Sequence, residues 1–301
     1  IAQLFGLVPP AAERARVLEL GCAAGGNIIP FAAFHPEAEV VGIDIGKRQV
    51  EIGQRRIAAL GLGNAELRHA SITELPDDLG PFDSTICPAC DRLLTANGIA
   101  MISYNVLPGW RMFQPLRDAF RTILPPGLDE ASRARAARQF LQYASAMTPS
   151  TNAYATLLRQ APARLAALAD TYLFHEYLEE VNEPCTLAEF AAAADRHALG
   201  YLGDSNLGSM FAMNHGREFA EQLHQGTRGD ILSVEQMLDI LTGRTFRMSL
   251  LVRAGLFARI DRSITPDRMA GLHFLPSEEL QFAREGDGAR ITGNDGLRVE
   301  Y

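Results

Sequence analysis

Small residues crowd the stretch 17–27, VLELGCAAGGN, and they decide what chemistry the chain can do. The apolar run Val17-Leu18-Glu19-Leu20 breaks at Gly21 and passes through Cys22, Ala23, Ala24, Gly25 and Gly26 to Asn27 and Ile28-Ile29. That order predicts a buried strand, a tight turn and a helix start. A bare turn between a parallel strand and its crossover helix lets a nucleotide lie against main-chain groups at the carboxyl end of a sheet. The spacing Glu19-x-Gly21-x-Ala23-x-Gly25 differs from G-x-G-x-x-G, which sets a pyrophosphate on a helix N-terminus. No Lys-Ser/Thr follows to make a phosphate loop. A second acid, Asp44, ends the predicted strand 38–44 about twenty residues beyond the glycines, where a carboxylate can accept hydrogen bonds from both hydroxyls of a ribose.

This spacing resembles motif I of the class I S-adenosylmethionine (SAM) methyltransferases, E/D-x-G-x-G-x-G, with Ala23 at the middle glycine. The resemblance implies that Glu19 orients the loop and that Gly21, Cys22, Ala23, Gly25 and Asn27 surround the methionine and ribose parts of SAM. It also implies that Asp44 and the following Ile45 hold the ribose side. Ser71 would then meet the adenine amino group, and Ile72 would lie flat on its ring. Ala23 is a mild departure unless the position needs a positive φ. Ordinary alternatives stay open: glycine-rich turns occur without ligands, and Asp44, Ser71 or Thr73 can simply cap helices.

The elements that must position these residues follow in order. A helix is expected over 47–60 and a third strand over 64–70. The run Pro81-Phe82-Asp83 opens a fourth strand, 81–87. Only Pro88-Ala89-Cys90 then precedes the turn-like Asp91-Arg92-Leu93-Leu94-Thr95-Ala96-Asn97-Gly98. A parallel crossover needs at least about ten to twelve residues. A segment is therefore expected to be missing near 86–91, and another before Ile1, where the chain opens without Met. On that reading Cys87-Pro-Ala-Cys90 is an accident of concatenation rather than a redox pair or half a zinc site.

The fifth strand, 99–105, leads into Ser103-Tyr104-Asn105-Val106-Leu107-Pro108-Gly109-Trp110. With L-F-G-L-x-P-P at 4–10 and G-C-x-x-G-G-N at 21–27, this run resembles the bacterial methyltransferases that carry a methyltransferase regulatory domain. Phe174-His175-Glu176-Tyr177-Leu178-Glu179-Glu180-Val181-Asn182-Glu183-Pro184 resembles the signature of that domain. Tyr104, Asn105 and Trp110 are the candidate catalytic residues, since an aromatic ring at the carboxyl edge can shape a slot or attract a cationic nitrogen. Trp110 could equally pack the joint to the next domain. No general base is evident. H-E-x-x-E at 175–179 lacks the second histidine of a zinc site, so no metal is expected; it reads as a solvated acidic face, or one that recognises a cationic substrate.

The expected architecture is α/β: a Rossmann-like class I methyltransferase sheet over 1–112, a mostly helical regulatory domain over 113–225 and a small C-terminal α+β module over 226–301. With 301 residues, 47% of them hydrophobic, the chain can bury a full core. A net charge of −8 offers no basic stripe for nucleic acid. Scattered cysteines and the lack of a long apolar run point to a cytoplasmic protein with no membrane partner. The resemblance implies a SAM-dependent enzyme that releases S-adenosylhomocysteine. Its acceptor is expected to be a protein lysine amine; a small metabolite and a catalytically idle binding module are the alternatives, and a homodimer stays open.

Overall fold

Alternation of short apolar strands with amphipathic helices builds the first half. In the computed structural model, which describes residues 1–72, 75, 79, 90, 92–125, 127–149, 151–179, 182–270, 272, 281–285, 288–292 and 298–300, strands β1 (Arg16–Leu20), β2 (Glu39–Asp44) and β3 (Ala65–His69) pair in parallel. Helix α1 (Ile28–Phe34) and helix α2 (Lys47–Leu60) make the crossovers. Ile28, Ile29, Ala32 and Val50 bury their side chains against Val40 and Leu67 of the sheet. Helix α2 stops at Gly61, whose φ of 66° suits the left-handed cap that glycine allows. The register sets Glu19 beside Gly42 and Asp44 beside His69, so the carboxyl ends of the three strands are level.

The second half is assembled from distant pieces. Strand β4 (Ala100–Asn105) pairs antiparallel with β6 (Phe246–Arg253), which pairs antiparallel with β5 (Leu199–Asp204) on its other side. Between β4 and β5 the chain runs through α3 (Gln114–Ile123), α4 (Glu130–Met147), α5 (Ala153–Ala166), α6 (Asp170–Leu173), a π-helical turn (Phe174–Leu178) and α7 (Leu187–Asp195). Asp129, Asn152 and Thr186 cap α4, α5 and α7, the last in a full capping box with Glu189. Phe120, Leu141, Leu165, Leu173 and Leu178 form the core of this helical segment. Helices α8 (Arg217–Thr227) and α9 (Ile231–Thr242) then lead to β6, and β7 (Gln281–Glu285), β8 (Gly288–Thr292) and β9 (Arg298–Glu300) make an antiparallel sheet.

Two sequence expectations meet this topology differently. Residue 226, taken as the start of a separate module, falls inside α8, and β6 beyond it hydrogen-bonds to β4 of the first 112 residues. Strand β5 was not anticipated, because Gly200 and Gly203 depress strand propensity. Their purpose is close packing: a Cβ on Gly200 would lie 2.6 Å from Phe257, and one on Gly203 would lie 2.8 Å from Met210. The fourth strand at 81–87, Cys87 of the C-x-x-C pair and the expected gap near 86–91 lie outside the described residues.

A charged cluster locks the second half. Arg247 of β6 is 1% exposed and grips Asp239 through two hydrogen bonds of 2.8 Å each. Its remaining donors reach the Tyr201 hydroxyl at 3.0 Å and Glu235 at 3.1 Å, and Asp204 lies 3.4 Å away. Tyr201 also donates to Glu235 at 2.7 Å. Burial raises the Glu235 carboxyl above its ordinary value, with Arg247 opposing.

Candidate functional site

The glycine loop is held by its backbone. Gly21 and Cys22 both donate to the Ile43 carbonyl, at 2.8 and 3.1 Å, and so tie the loop to the end of β2. Gly21 and Gly25 have φ of 78° and 76°, which explains the glycines at both places. Ala23 has φ of 46°. The position does require left-handed backbone, so alanine here is strained by about 1–2 kcal/mol rather than being a mild departure. Gly53 of α2 lets that helix press on the loop, since a Cβ there would lie 3.0 Å from the Ala24 carbonyl.

Asp44 secures the turn from both sides. Its Oδ2 accepts from the Ala23 amide at 2.8 Å and its Oδ1 from the Gly46 amide at 2.6 Å. A carboxylate keeps further lone pairs for a ribose after two such bonds. The Ala70 amide donates to the Asp44 carbonyl at 3.1 Å, which brings Ser71 next to Asp44. Ile45 and Ile72 flank these groups and are 73% and 51% exposed, two large apolar side chains open at one strand edge. The loop, Asp44, Ile45, Ser71 and Ile72 thus lie at the carboxyl end of one sheet.

Glu19 carries the most informative detail. Its Oε1 accepts from the Asn27 amide at 2.6 Å, while its Oε2 is buried and accepts no hydrogen bond among the described residues. Burial pushes its carboxyl above the ordinary value, the Asn27 bond opposes this, and the charge of Asp44 adds to it. A buried acceptor without a donor is costly, and it suits a ligand that brings a cationic donor. Cys22 differs from the others. Its thiol is buried, pushed up to about 12 by burial and then by Asp44 and Glu19, and it packs where a Gly42 Cβ would otherwise stand. Its side chain is therefore loop scaffolding rather than a ligand contact.

The three acceptor-side candidates separate. The Tyr104 hydroxyl lies 3.1 Å from Ser249 Oγ, and its ring stacks on Phe190 with centroids 4.3 Å apart. Tyr104 is thus part of the inter-element packing. Trp110 is 4% exposed and packs against Phe113 and Tyr177, the joint-filling alternative. Asn105 links the end of β4 to the acidic turn: it donates to Glu176 Oε2 at 3.1 Å and to Asn182 Oδ1 at 3.4 Å. Glu176 belongs to the H-E-x-x-E face read from the sequence as solvated or as recognising a cationic substrate, whereas Asn182 has no signal of its own in the run 174–184. A cleft of about 480 Å³ separates β1 from β4; its lining among the described residues includes Glu19, Leu20, Asn27, Met101, Ile102 and Phe246. It shares Glu19 and Asn27 with the glycine loop but not Asp44 or Ser71.

This site on this sheet defines a class I methyltransferase fold. Residues 17–101 match the family described as methyltransferase domain, and residues 169–253 match the predicted methyltransferase regulatory domain. Protein RP028 of Rickettsia prowazekii is 32% identical over 219 residues, 65% of this chain and 85% of that protein. Protein RP789 of the same organism is 38% identical over 284 residues, 89% of this chain and 51% of that protein. Among solved structures, PKMT2 from Rickettsia typhi in complex with AdoHcy has a TM-score of 0.78 at 29% identity, covering 99% of this chain and 62% of that one. The chain belongs to the class I SAM-dependent methyltransferases that carry a methyltransferase regulatory domain, and it spans 51% of RP789 and 62% of PKMT2.

The residues present fit the family's cofactor. The unpartnered Glu19 Oε2 suits the SAM ammonium, Asp44 the ribose hydroxyls, and Ile45 and Ile72 the faces of the adenine. Bound there, SAM supplies an activated methyl group on a sulfonium.

Proposed function

We propose that the chain transfers a methyl group from SAM to a protein lysine amine. The correspondence with PKMT2, a protein lysine methyltransferase by name, over 99% of this chain supports this reading. The protein's tasks are then to hold the amine in line with the methyl group, to exclude water and to take up a proton. The net charge of −8 favours a basic protein acceptor over nucleic acid. No helix among the described residues is long and apolar enough to cross a membrane.

Calorimetric titration with SAM and S-adenosylhomocysteine comes first, followed by methyl-labelled SAM with protein and metabolite extracts. Micromolar binding and label on lysine are expected. Label confined to small molecules would move the acceptor to a metabolite. Tight binding without transfer would mark an idle module, and a folded sample that binds neither compound would end the enzyme reading.

A further inference from the structure

The polar cluster where β4 ends has a shape that the fold alone does not require. Asn105 is the last residue of β4, and its side-chain NH2 is spent on Glu176 Oε2 and Asn182 Oδ1. Both partners accept there, which fixes the amide orientation and turns Asn105 Oδ1 the other way. That oxygen is buried and has no donor among the described residues. Glu176 sits in the π-helical turn 174–178, a geometry common at functional sites. Arg117, 2% exposed, clamps the turn by donating to the Glu176 and Glu179 carbonyls at 3.0 and 2.6 Å. Asn182 donates to the Glu176 carbonyl at 3.2 Å and completes the frame.

A carboxylate and, one amide away, a carbonyl oxygen with no donor among the described residues are both acceptors, and together they match a donor with several hydrogens and a positive charge. The cluster is tied to the cofactor side through one neighbour. Phe246, the register partner of Asn105, lines the same cleft as Glu19 and Asn27. We propose that Asn105 Oδ1 and the Glu176 carboxylate receive the acceptor amine as an ammonium, and that Glu176 takes the proton that frees its lone pair. This rests on the methyltransferase reading above. The amine nitrogen, once neutral, forms its bond to the methyl carbon as the carbon–sulfur bond breaks, and the electron pair stays on sulfur. The product is a methylammonium beside a protonated Glu176.

Burial raises the Glu176 carboxyl, with Asn105, Arg117 and His175 opposing and Glu179 reinforcing, which narrows its gap to an amine. The titratable and charged groups around it are Arg117 of α3 and Tyr172, His175, Tyr177 and Glu179 of its own segment.

The test uses the whole chain saturated with S-adenosylhomocysteine and titrated with n-butylamine, followed by NMR, so no turnover is needed. Wild type is expected to bind the amine, and Glu176→Gln and Asn105→Ala to bind it at least tenfold more weakly while keeping their S-adenosylhomocysteine affinity within twofold. A second arm measures methyl transfer to a lysine peptide library against pH. In Glu176→Gln, kcat/KM is expected to fall most at neutral pH and to recover toward alkaline pH, where the amine loses its proton unaided. Wild type that ignores butylamine, or variants that match it in both arms, would overturn the proposal. Loss of S-adenosylhomocysteine binding by wild type would instead sink the reading beneath it.

Discussion

The two halves of the molecule solve the placement of polar groups in opposite ways. Around β1, β2 and β3 the site is built from backbone: glycines with positive φ, amides aimed at Asp44, and one carboxylate with an oxygen to spare. Around β4, β5 and β6 polar groups come from side chains far apart in sequence, such as Arg247 with Asp204, or Asn105 with Glu176. A backbone-built site is written in a short contiguous stretch. A site of long-range pairs is not.

The contrast can be broken by substitution. Arg247→Met should cost about 3–5 kcal/mol in denaturant unfolding, because Asp239 and Glu235 lose their buried partner. Its folded fraction should bind S-adenosylhomocysteine unchanged; weakened binding would mean that the halves are energetically one. Asp44→Ala should weaken SAM affinity by on the order of 1–3 kcal/mol in calorimetry through lost ribose bonds. Equal affinity would remove Asp44 from the site.

Glu19 sharpens the comparison through pH. Its carboxyl is raised by burial, so it holds its proton to higher pH than an ordinary glutamate, while an ammonium donor prefers the ionised form. SAM affinity should therefore strengthen as pH rises through that raised value, by at most about tenfold per pH unit, and Glu19→Gln should flatten the slope. A slope that survives in Glu19→Gln would assign the proton elsewhere. The smallest effect belongs to Ala23→Gly, which relieves left-handed strain but frees the unfolded chain. A net gain on the order of 0.5–1 kcal/mol is expected in thermal unfolding, and a loss would show that the alanine methyl makes a contact worth more than its strain.

Legibility followed the same division. Gly21, Gly25, Asp44 and Ser71 could be placed from the chain alone because strand ends and turns fix them locally. Ala23 is left conditional by the sequence because its φ depends on how the loop is tied to Ile43 and Asp44. Tyr104 was drawn to the site by position on its strand, yet the ring it faces comes from Phe190, which no spacing reveals. The acidic face at 175–179 is legible in the sequence, but which of its acids meets Asn105 is decided by the π-turn and not by spacing.

The reversed strand β6 between β4 and β5 makes the helical segment an insertion rather than an appendage. Both of its ends are moored, near Val106 and at Cys185, which bridge one another directly. Cutting the chain after residue 112 would strip β4 of its partner and leave a row of bare amides and carbonyls, an edge open to pairing with other molecules. The helices between the moorings therefore hang from two adjacent points of one strand end, and the order of strands does not depend on how many there are.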